Sequence, residues 1–287
     1  MEKQGMTEKL EKSKAWSYGL PILLFVLVVV GACICFRAKK SLHPEAVFFG
    51  DSIIATARGG DSVPDRLADL VGIPFLNAAY GGTAMTKLDL SENMDDRWDF
   101  LSMTSLTKSI ASNDFSPQQR VSDMGIATEY FAELTDELDR VDFQRVRLMM
   151  LCFGMNDYQS GVPLKNSESP MDVHSFEGAL RMTLTELKKA LPDCRILLVS
   201  PTYSWYVTDG QTCEERRFGD ALLEDYVELE RSIAAQCGVE MIDLYHGLYT
   251  HDVFEDWKTY TLDGVHPNET GRKLITERIA AYLEEHP

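Results

Sequence analysis

The feature that most constrains this chain is a set of four short blocks that occur in a fixed order. They are Gly50-Asp51-Ser52, Asn77-Ala78-Ala79-Tyr80-Gly81-Gly82-Thr83, Gly154-Met155-Asn156-Asp157 and Asp263-Gly264-Val265-His266-Pro267. The first three follow directly on short apolar runs that are typical of buried strands. Each block alone is weak, since glycine, aspartate and asparagine recur in turns. Their joint order predicts that polar groups gather at the carboxyl edge of an open parallel sheet.

The blocks contain the residue types that acyl transfer needs. A serine hydroxyl is a poor nucleophile until a base takes its proton, and Ser52 and His266 provide such a pair. Asp263 precedes His266 by three residues, a spacing that lets a carboxylate reach the imidazole Nδ1 and fix the tautomer. The alternatives are that each block is an ordinary turn, with Ser52 as a helix N-cap, or that the fold is kept without turnover.

The four blocks resemble those of the SGNH (GDSL-like) hydrolase family. The resemblance covers roughly Ala46 to the C-terminus, which is most of the chain. It implies that Ser52 is the nucleophile, that Asp263 is the orienting acid and that His266 is the base. The activity that it implies is hydrolysis of an ester through an acyl-serine intermediate, without a metal or an organic cofactor.

The resemblance also implies an oxyanion hole, formed by the backbone N–H groups of Ser52 and Gly82 and the side-chain amide of Asn156. A glycine at position 82 lets the backbone approach a substrate closely. The chain departs from the family pattern here, because it has two adjacent glycines where many members have one. Gly81 is therefore the weaker candidate for the donor.

Apolar runs alternate with amphipathic segments along the rest of the chain, which predicts a parallel sheet covered by helices on both faces. The predicted strands are residues 46–50, 73–78, 145–153, 195–200 and 239–244. The predicted helices are residues 63–70, 127–138, 176–190, 221–237 and 271–285. The predicted fold class is therefore α/β, a three-layer α/β/α domain of the SGNH or flavodoxin-like kind, with a central parallel sheet of about five strands.

Two loops are candidates for the wall of a substrate site. Residues 158–172 follow the third block, and residues 202–212 contain several aromatic side chains. Such side chains can stack on a sugar ring or pack an acyl chain, and they can equally cover the edge of a core. The residues selected as candidates for substrate binding are Asp51, Gly81, Tyr158 and Tyr203.

The N-terminal region contains a long apolar segment. Residues 15–36 carry no charge, and residues 22–30 are wholly aliphatic or aromatic. A helix of this length, at about 1.5 Å per residue, spans the roughly 30 Å hydrocarbon core of a bilayer. The sequence therefore predicts one N-terminal transmembrane helix after a charged tail at residues 1–14. A tether at residues 37–45 and a hydrolase domain at residues 46–287 follow it.

The topology of this segment stays open at the sequence level, because basic residues flank it on both sides. A single N-terminal anchor most often precedes an outside domain, which favours an extracellular location. Val30-Gly31-Ala32-Cys33 resembles a bacterial lipobox, so lipidation at Cys33 is an alternative. A cleaved signal peptide is disfavoured, because the apolar run exceeds the usual 7–15 residues. A buried core helix is the remaining alternative.

Charge and cysteine content narrow the range of partners. The chain has 287 residues and a net charge of −17, and the part after residue 44 has 21 basic against 42 acidic side chains. Nucleic acid is thus an unsuitable partner, since binding phosphates needs a basic footprint. Six cysteines are present, without a CxxC pair or a Cys/His cluster of zinc spacing. The sequence predicts no metal site and leaves a Cys213–Cys237 disulfide open.

Together these patterns predict a membrane-tethered serine esterase that removes small acyl groups, chiefly acetyl, from carbohydrate. The expected partners are an acylated glycan and the membrane, and the oligomeric state is not determined by the sequence. Three alternatives remain. They are a lysophospholipase or thioesterase, an acyltransferase that passes the acyl group to a sugar hydroxyl, and a catalytically silent glycan-binding module.

Overall fold

The computed structural model describes residues 41–88, 96–122 and 129–287 of the chain. Leu42–Pro287 forms one compact unit. The predicted tail at 1–14, the predicted transmembrane helix at 15–36 and the first part of the tether lie outside the described residues. Within the described part of the chain, no helix is both long enough and apolar enough to cross a membrane.

Strands and helices alternate along most of the domain. The strands are β1 (Ala46–Gly50), β2 (Phe75–Asn77), β3 (Leu148–Cys152), β4 (Arg195–Val199), β5 (Trp205–Tyr206), β6 (Gln211–Thr212) and β7 (Glu240–Ile242). The helices are α1 (Ser52–Ala55), α2 (Val63–Val71), α3 (Met103–Ser112), α4 (Ser116–Ser122), α5 (Glu129–Leu138), α6 (Met155–Gln159), α7 (Phe176–Ala190), α8 (Leu223–Cys237), α9 (Trp257–Tyr260) and α10 (Glu269–Glu285). Short 3₁₀ helices occupy Asp96–Leu101, Phe143–Arg145 and Phe254–Asp256.

The central sheet has five parallel strands in the order β2-β1-β3-β4-β7, and a separate antiparallel hairpin joins β5 to β6. This confirms the predicted parallel sheet. The two edge strands, β2 and β7, are shorter than the apolar runs that predicted them. Each has a neighbour on one side only, so the ends of these runs have no second strand to pair with.

Helices cover both faces of the sheet. Alternate side chains of a strand point to opposite faces, and in β1 Val47 and Phe49 pack against α3, α5, α7 and α8. Ala46 and Phe48 point the other way and pack against α2 and α10. Every residue of β1 and β3 is buried, so these strands read as continuous apolar runs. The domain is the predicted three-layer α/β/α sandwich.

The helices α3 and α4 were not predicted from the sequence. Their region carries many hydroxyl residues, which hide the apolar spacing of a helix. Several of these hydroxyls are buried and hydrogen-bonded, as where Ser109 Oγ donates to Gln118 Oε1 at 2.9 Å. Ser102 caps α3 by accepting a bond from the backbone N–H of Ser105. The helix is thus specified by its cap and its packing rather than by a simple apolar stripe.

Two further details bear on the sequence-based expectations. Leu42, within the predicted tether, pairs with the segment after α5: its N–H donates to Arg140 O at 2.8 Å, and Asp142 N–H donates to Leu42 O at 3.0 Å. Cys213 and Cys237 are free thiols, so the disulfide left open by the sequence is not formed. Burial raises the pKa of the Cys213 thiol to about 11.

One carboxyl group in the core belongs to Glu230 on α8, whose side chain is fully buried. Its Oε2 has no hydrogen-bond partner among the described residues. Burial raises its pKa well above the ordinary value, and the nearby carboxylates of Asp157 and Asp243 raise it further, against a lowering by Arg231. Glu230 therefore keeps its proton to a higher pH in the folded protein than in the unfolded chain.

This buried acid makes stability depend on pH. Because the folded state holds a proton that the unfolded chain releases, the stability that depends on Glu230 is complete below pH 4.5. It falls as pH rises toward the raised pKa. Replacing Glu230→Gln removes this dependence. Above pH 4.5, the free energy of unfolding of wild type should fall relative to that of the variant. The difference should grow by ~1.4 kcal/mol per pH unit until that pKa is reached.

Urea unfolding at pH 5, 6 and 7 measures this difference. The exposed Glu228 on the same helix provides the control, since Glu228→Gln makes the same chemical change at the surface. A constant difference between Glu230→Gln and wild type across the three pH values would contradict protonation of Glu230 in the fold.

Candidate active site

Ser52 lies two residues after the end of β1, at the first position of α1. The turn into the helix is tight: a Cβ at Gly50 would lie 2.9 Å from Ile54 Cγ1 and 3.1 Å from Cys152 O, so the position requires glycine. Asp51 caps α1, because its Oδ1 accepts a hydrogen bond from the Ile53 N–H at 2.9 Å. The serine hydroxyl is thereby held at the carboxyl edge of the sheet.

The structure brings together three of the residues selected from the sequence. His266 Nε2 lies 2.9 Å from Ser52 Oγ, and His266 Nδ1 lies 2.7 Å from Asp263 Oδ2. Partial burial by itself raises the pKa of Asp263, but bonds from the backbone N–H and ring of His266 and the N–H of Val265 lower it below its ordinary value. Because Asp263 is ionised, Nδ1 carries the imidazole proton, and the bare Nε2 can accept the Ser52 proton.

The loop that carries His266 is fixed by close contact with β5. The N–H of Trp205 donates to Gly264 O at 2.8 Å, and a Cβ at Gly264 would lie only 2.1 Å from Trp205 O. Gly264 also has φ +99°, in the left-handed region that favours glycine. After the loop, Asn268 caps α10 by accepting a bond from the Gly271 N–H at 3.1 Å. The base is therefore held between an anchored turn and a capped helix.

The paired glycines after β2 have different surroundings. The Gly81 N–H donates to Tyr130 Oη at 2.9 Å, so it already has an acceptor. Gly82 adopts φ +76° and lines the same cleft as Ser52. Within the described residues, the backbone N–H groups of Gly82 and Ser52 have no protein acceptor. Of the two glycines, Gly82 is the one with a donor left for a ligand.

Asn156 lies at the start of α6 and also lines the cleft. Its Nδ2 donates to Thr83 O at 2.9 Å and to Asp51 Oδ2 at 3.2 Å. Asp51 is buried, and this burial raises its pKa to about 7, although the Ile53 N–H lowers it. By its length, the bond from Asn156 to Asp51 is the weaker of the two.

The neighbouring Asp157 connects two segments of the site through buried hydrogen bonds. Its Oδ2 accepts from the Met85 N–H at 3.0 Å, and its Oδ1 accepts from the N–H and Oγ1 of Thr86 at 3.0 and 2.7 Å. Burial raises the pKa of this carboxyl against the lowering by those bonds. Asp157 joins the start of α6 to the segment that follows Gly82, and its side chain has no exposure to solvent.

A cleft of about 750 Å³ opens over Ser52 and His266. Besides the residues already described, its lining comprises Trp98, Phe131, Met155, Gln159, Trp205, Tyr206, Val207, Thr208, Phe218 and Val265. A nucleophile paired to a base, a base paired to an acid, and unused backbone donors beside them can together carry out acyl transfer.

Comparison with known proteins identifies the family. The model of the GDSL-like lipase/acylhydrolase family matches residues 48–274. The chain belongs to this family. No curated protein matches the chain.

Solved structures of similar fold include a Lactobacillus plantarum protein. It is 20% identical, with a TM-score of 0.58 over 85% of this chain and 98% of its own. A protein described as a possible lipase from Chitinophaga pinensis is 15% identical, with a TM-score of 0.52 over 84% of this chain and 97% of its own. These similarities show the GDSL-like fold.

Within this member of the family, two residues selected for substrate binding do not line the cleft. Tyr158 is buried, its hydroxyl donates to Arg216 O at 2.7 Å, and its ring packs edge-on against Phe218. Tyr203 is also buried, and its ring stacks on His251 with centroids 4.1 Å apart. Both loops turn their first aromatic residue inward, where a large ring contributes more by burial than at the rim.

The other two selected residues lie near the reacting atoms. Asp51 is buried behind Ser52 and contacts Asn156, so it is not open to a substrate. Gly81 lines the cleft, but its N–H is bound to Tyr130. Of the four candidates for substrate binding, only Gly81 faces the cleft.

Sequence analysis missed most of the cleft wall. Trp98 comes from a 3₁₀ helix that was not predicted, and Phe218 comes from a loop before α8. Phe131 lies on α5, which was predicted as a helix, but its place in the cleft wall was not. Tyr130 accepts the hydrogen bond from the Gly81 N–H, a role that the sequence did not predict. An aromatic residue on an amphipathic helix is usually a core residue. The aromatic density of residues 202–212 was the one signal that could locate part of the wall, through Trp205 and Tyr206.

The bond from Gly81 to Tyr130 generates a testable prediction. Tyr130→Phe removes the acceptor of the Gly81 N–H, which loosens the turn that contains the proposed oxyanion donor Gly82. We expect the kcat for ester hydrolysis to fall by about 3- to 10-fold, with KM little changed, because a misaligned donor weakens transition-state binding.

Tyr80→Phe is the matched control. It removes a buried hydroxyl that bonds to Thr135 at 2.8 Å, away from the cleft. This variant should lose stability but keep the wild-type kcat. Equal kcat values in the two variants would show that the Tyr130 hydroxyl does not position the glycine turn.

Proposed function

We propose that this protein is a serine esterase that hydrolyses short acyl esters of carbohydrate, chiefly acetyl esters, through an acyl-Ser52 intermediate. The observation that carries the proposal is the chain of contacts from Ser52 Oγ to His266 Nε2 (2.9 Å) and from His266 Nδ1 to Asp263 Oδ2 (2.7 Å) at the floor of an open cleft. Membership of a family of lipases and acylhydrolases supports the reaction class.

Acylation follows from this geometry. Ser52 Oγ attacks the ester carbonyl carbon while His266 Nε2 takes the hydroxyl proton, and the carbonyl electron pair moves onto its oxygen. When the tetrahedral intermediate collapses, the bond to the alcohol oxygen breaks. The proton on Nε2 passes to that oxygen, and Asp263 stabilises the imidazolium between the two transfers.

Deacylation repeats the steps with water. His266 Nε2 takes a proton from water as its oxygen adds to the acyl carbon, and collapse breaks the bond to Ser52 Oγ. The serine recovers its proton from His266, and the carboxylic acid leaves. A sugar hydroxyl in place of that water would give the acyltransferase alternative.

The oxyanion is proposed to bind the N–H groups of Ser52 and Gly82 and the amide of Asn156. Both amide hydrogens of Asn156 have protein partners in the free enzyme, Thr83 O and Asp51 Oδ2. A negative oxygen competes best with the longer and weaker of these bonds, the one to Asp51. The third donor is therefore recruited as charge develops, which favours the transition state over the bound ester.

The carbohydrate part of the proposal is supported by the cleft wall. Trp98, Tyr206 and Phe218 are partly exposed aromatic side chains, and aromatic faces suit the apolar faces of sugar rings. Gln159, Tyr206 and Thr208 add hydrogen-bonding groups. The acidic domain disfavours a polyanionic substrate and is compatible with a neutral acylated glycan.

We further propose that residues 15–36 anchor the protein in a membrane, with the domain on the extracellular side. The uncharged apolar run supports this anchor.

A comparison of His266 with His246, which has the same local geometry with its own aspartate, tests the mechanism. His246 Nδ1 lies 2.8 Å from Asp243 Oδ2, also three residues earlier, but its Nε2 faces Glu224 rather than a serine. His266→Ala and Ser52→Ala should each lower kcat for p-nitrophenyl acetate by about 10³-fold or more. His246→Ala should leave kcat within about twofold, because it does not touch the reacting atoms.

The measurement is the rate at which the full chain and these variants hydrolyse p-nitrophenyl acetate, butyrate and octanoate. Equal rates in wild type and Ser52→Ala would exclude the serine mechanism. Absence of any rate would make a catalytically silent glycan-binding module the better account. Preference for octanoate would replace the carbohydrate substrate with a lipid, as in a lysophospholipase or thioesterase.

A further inference from the structure

The residues that line the cleft around Ser52 form two chemically unlike walls. One wall, next to Gly82, is formed by Trp98 and Phe131. The second wall contains Gln159 and Tyr206 together with other residues of the β5–β6 hairpin. The first wall presents aromatic carbon, whereas the second combines aromatic surface with a carboxamide and a phenolic hydroxyl.

Trp98 closes the first wall at short range. A Cβ built on Gly82 would lie 3.4 Å from Trp98 Cζ2, and the indole Nε1–H donates a long bond of 3.4 Å to Gly82 O. The indole is backed by the ring of Phe131, with centroids 5.8 Å apart, and Phe131 is fully buried. Space beside the proposed oxyanion donor is therefore limited by a large ring that is itself supported by the core.

The second wall is linked to the base. The N–H of Trp205 in the hairpin bonds to Gly264 O at 2.8 Å, and a Cβ at Gly264 would lie 3.0 Å from Val207 Cγ2. The hairpin therefore packs directly on the loop that carries His266. On the same wall, Gln159 Nε2 lies 3.4 Å from the Tyr206 hydroxyl.

The chemistry of ester cleavage assigns the two walls. With its oxygen at the oxyanion donors and its carbon at Ser52 Oγ, an ester carbonyl directs its acyl group and its alcohol to different sides. The alcohol oxygen must lie near His266, because it receives the proton from Nε2. The alcohol therefore extends along the second wall, whose polar groups can bind hydroxyls. The acyl group points toward Trp98 in the first wall.

We infer that Trp98 is the specificity-determining residue that limits the length of the acyl group, and that Gln159 and Tyr206 receive the sugar alcohol. This inference rests on the proposed serine esterase function and deepens it. Trp98 admits an acetyl group, whose methyl group fits beside Gly82, and excludes longer chains. Gln159 distinguishes a hydroxylated alcohol from an apolar one.

Two substrate series separate the roles. In the first, the leaving group stays p-nitrophenol and the acyl group varies from acetate to octanoate. In the second, the acetyl group is constant and the alcohol is either an acetylated monosaccharide or ethyl acetate. The full chain is used as wild type, Trp98→Ala and Gln159→Ala.

Trp98→Ala should raise the ratio of kcat/KM for octanoate to that for acetate by about tenfold or more, because room for added methylenes is worth at least that much. It should leave the preference for the acetylated sugar unchanged. Gln159→Ala should lower the sugar preference and leave the chain-length ratio unchanged. Trp98→Phe, which keeps a ring against Phe131, gives an intermediate shift toward butyrate and covers the case in which Trp98→Ala does not fold.

The outcomes are distinguishable from failure of the esterase mechanism. If Trp98→Ala changes sugar preference while Gln159→Ala changes chain length, the walls are reversed and the inference is overturned. If both ratios stay at wild-type values in all variants while Ser52→Ala is inactive, the inference fails and the serine mechanism stands. If Ser52→Ala is as active as wild type, the mechanism itself fails.

Discussion

The parallel pairing of β1 with β3, and of β3 with β4, is the constraint on which the site depends. In this register Gly50 lies opposite Cys152, and Cys152 lies opposite Val199, so these strands end in one row. Ser52 follows β1 and Asn156 follows β3. This places a nucleophile and an amide donor side by side although they are far apart in sequence. A shift of register by one residue would turn every side chain to the other face.

The base comes from outside the sheet ladder, so its position needs separate support. The Asp263–His266 turn is local and forms wherever an aspartate can accept bonds from the following N–H groups. Asp243 and His246 form the same turn elsewhere. What distinguishes His266 is the contact of Gly264 with β5, which holds the turn within reach of Ser52. The local sequence therefore forms an aspartate–histidine pair in both places. Tertiary packing determines that the Asp263–His266 pair is the one that faces Ser52.

The sequence predicted the layers and the residues at strand ends because both depend on short-range patterns. Buried parallel strands read as continuous apolar runs, as in β1 and β3, and polar blocks follow them directly. The cleft wall depends on long-range packing, so Trp98 and Phe131 were not predicted. Tyr158 and Tyr203 illustrate the same limit: an aromatic residue shortly after the end of a strand can face substrate or core, and here both face the core.

The central claim is that Ser52 becomes acylated through His266. An active-site-directed p-nitrophenyl phosphonate, which forms a stable bond to an activated serine, tests it most directly when the labelled residue is located by peptide mass spectrometry. The account predicts one label per chain on the peptide that contains Ser52, loss of hydrolysis in proportion to labelling, and no label in His266→Ala. Inactivation with the label on another residue, or full hydrolysis by protein labelled at Ser52, would contradict it.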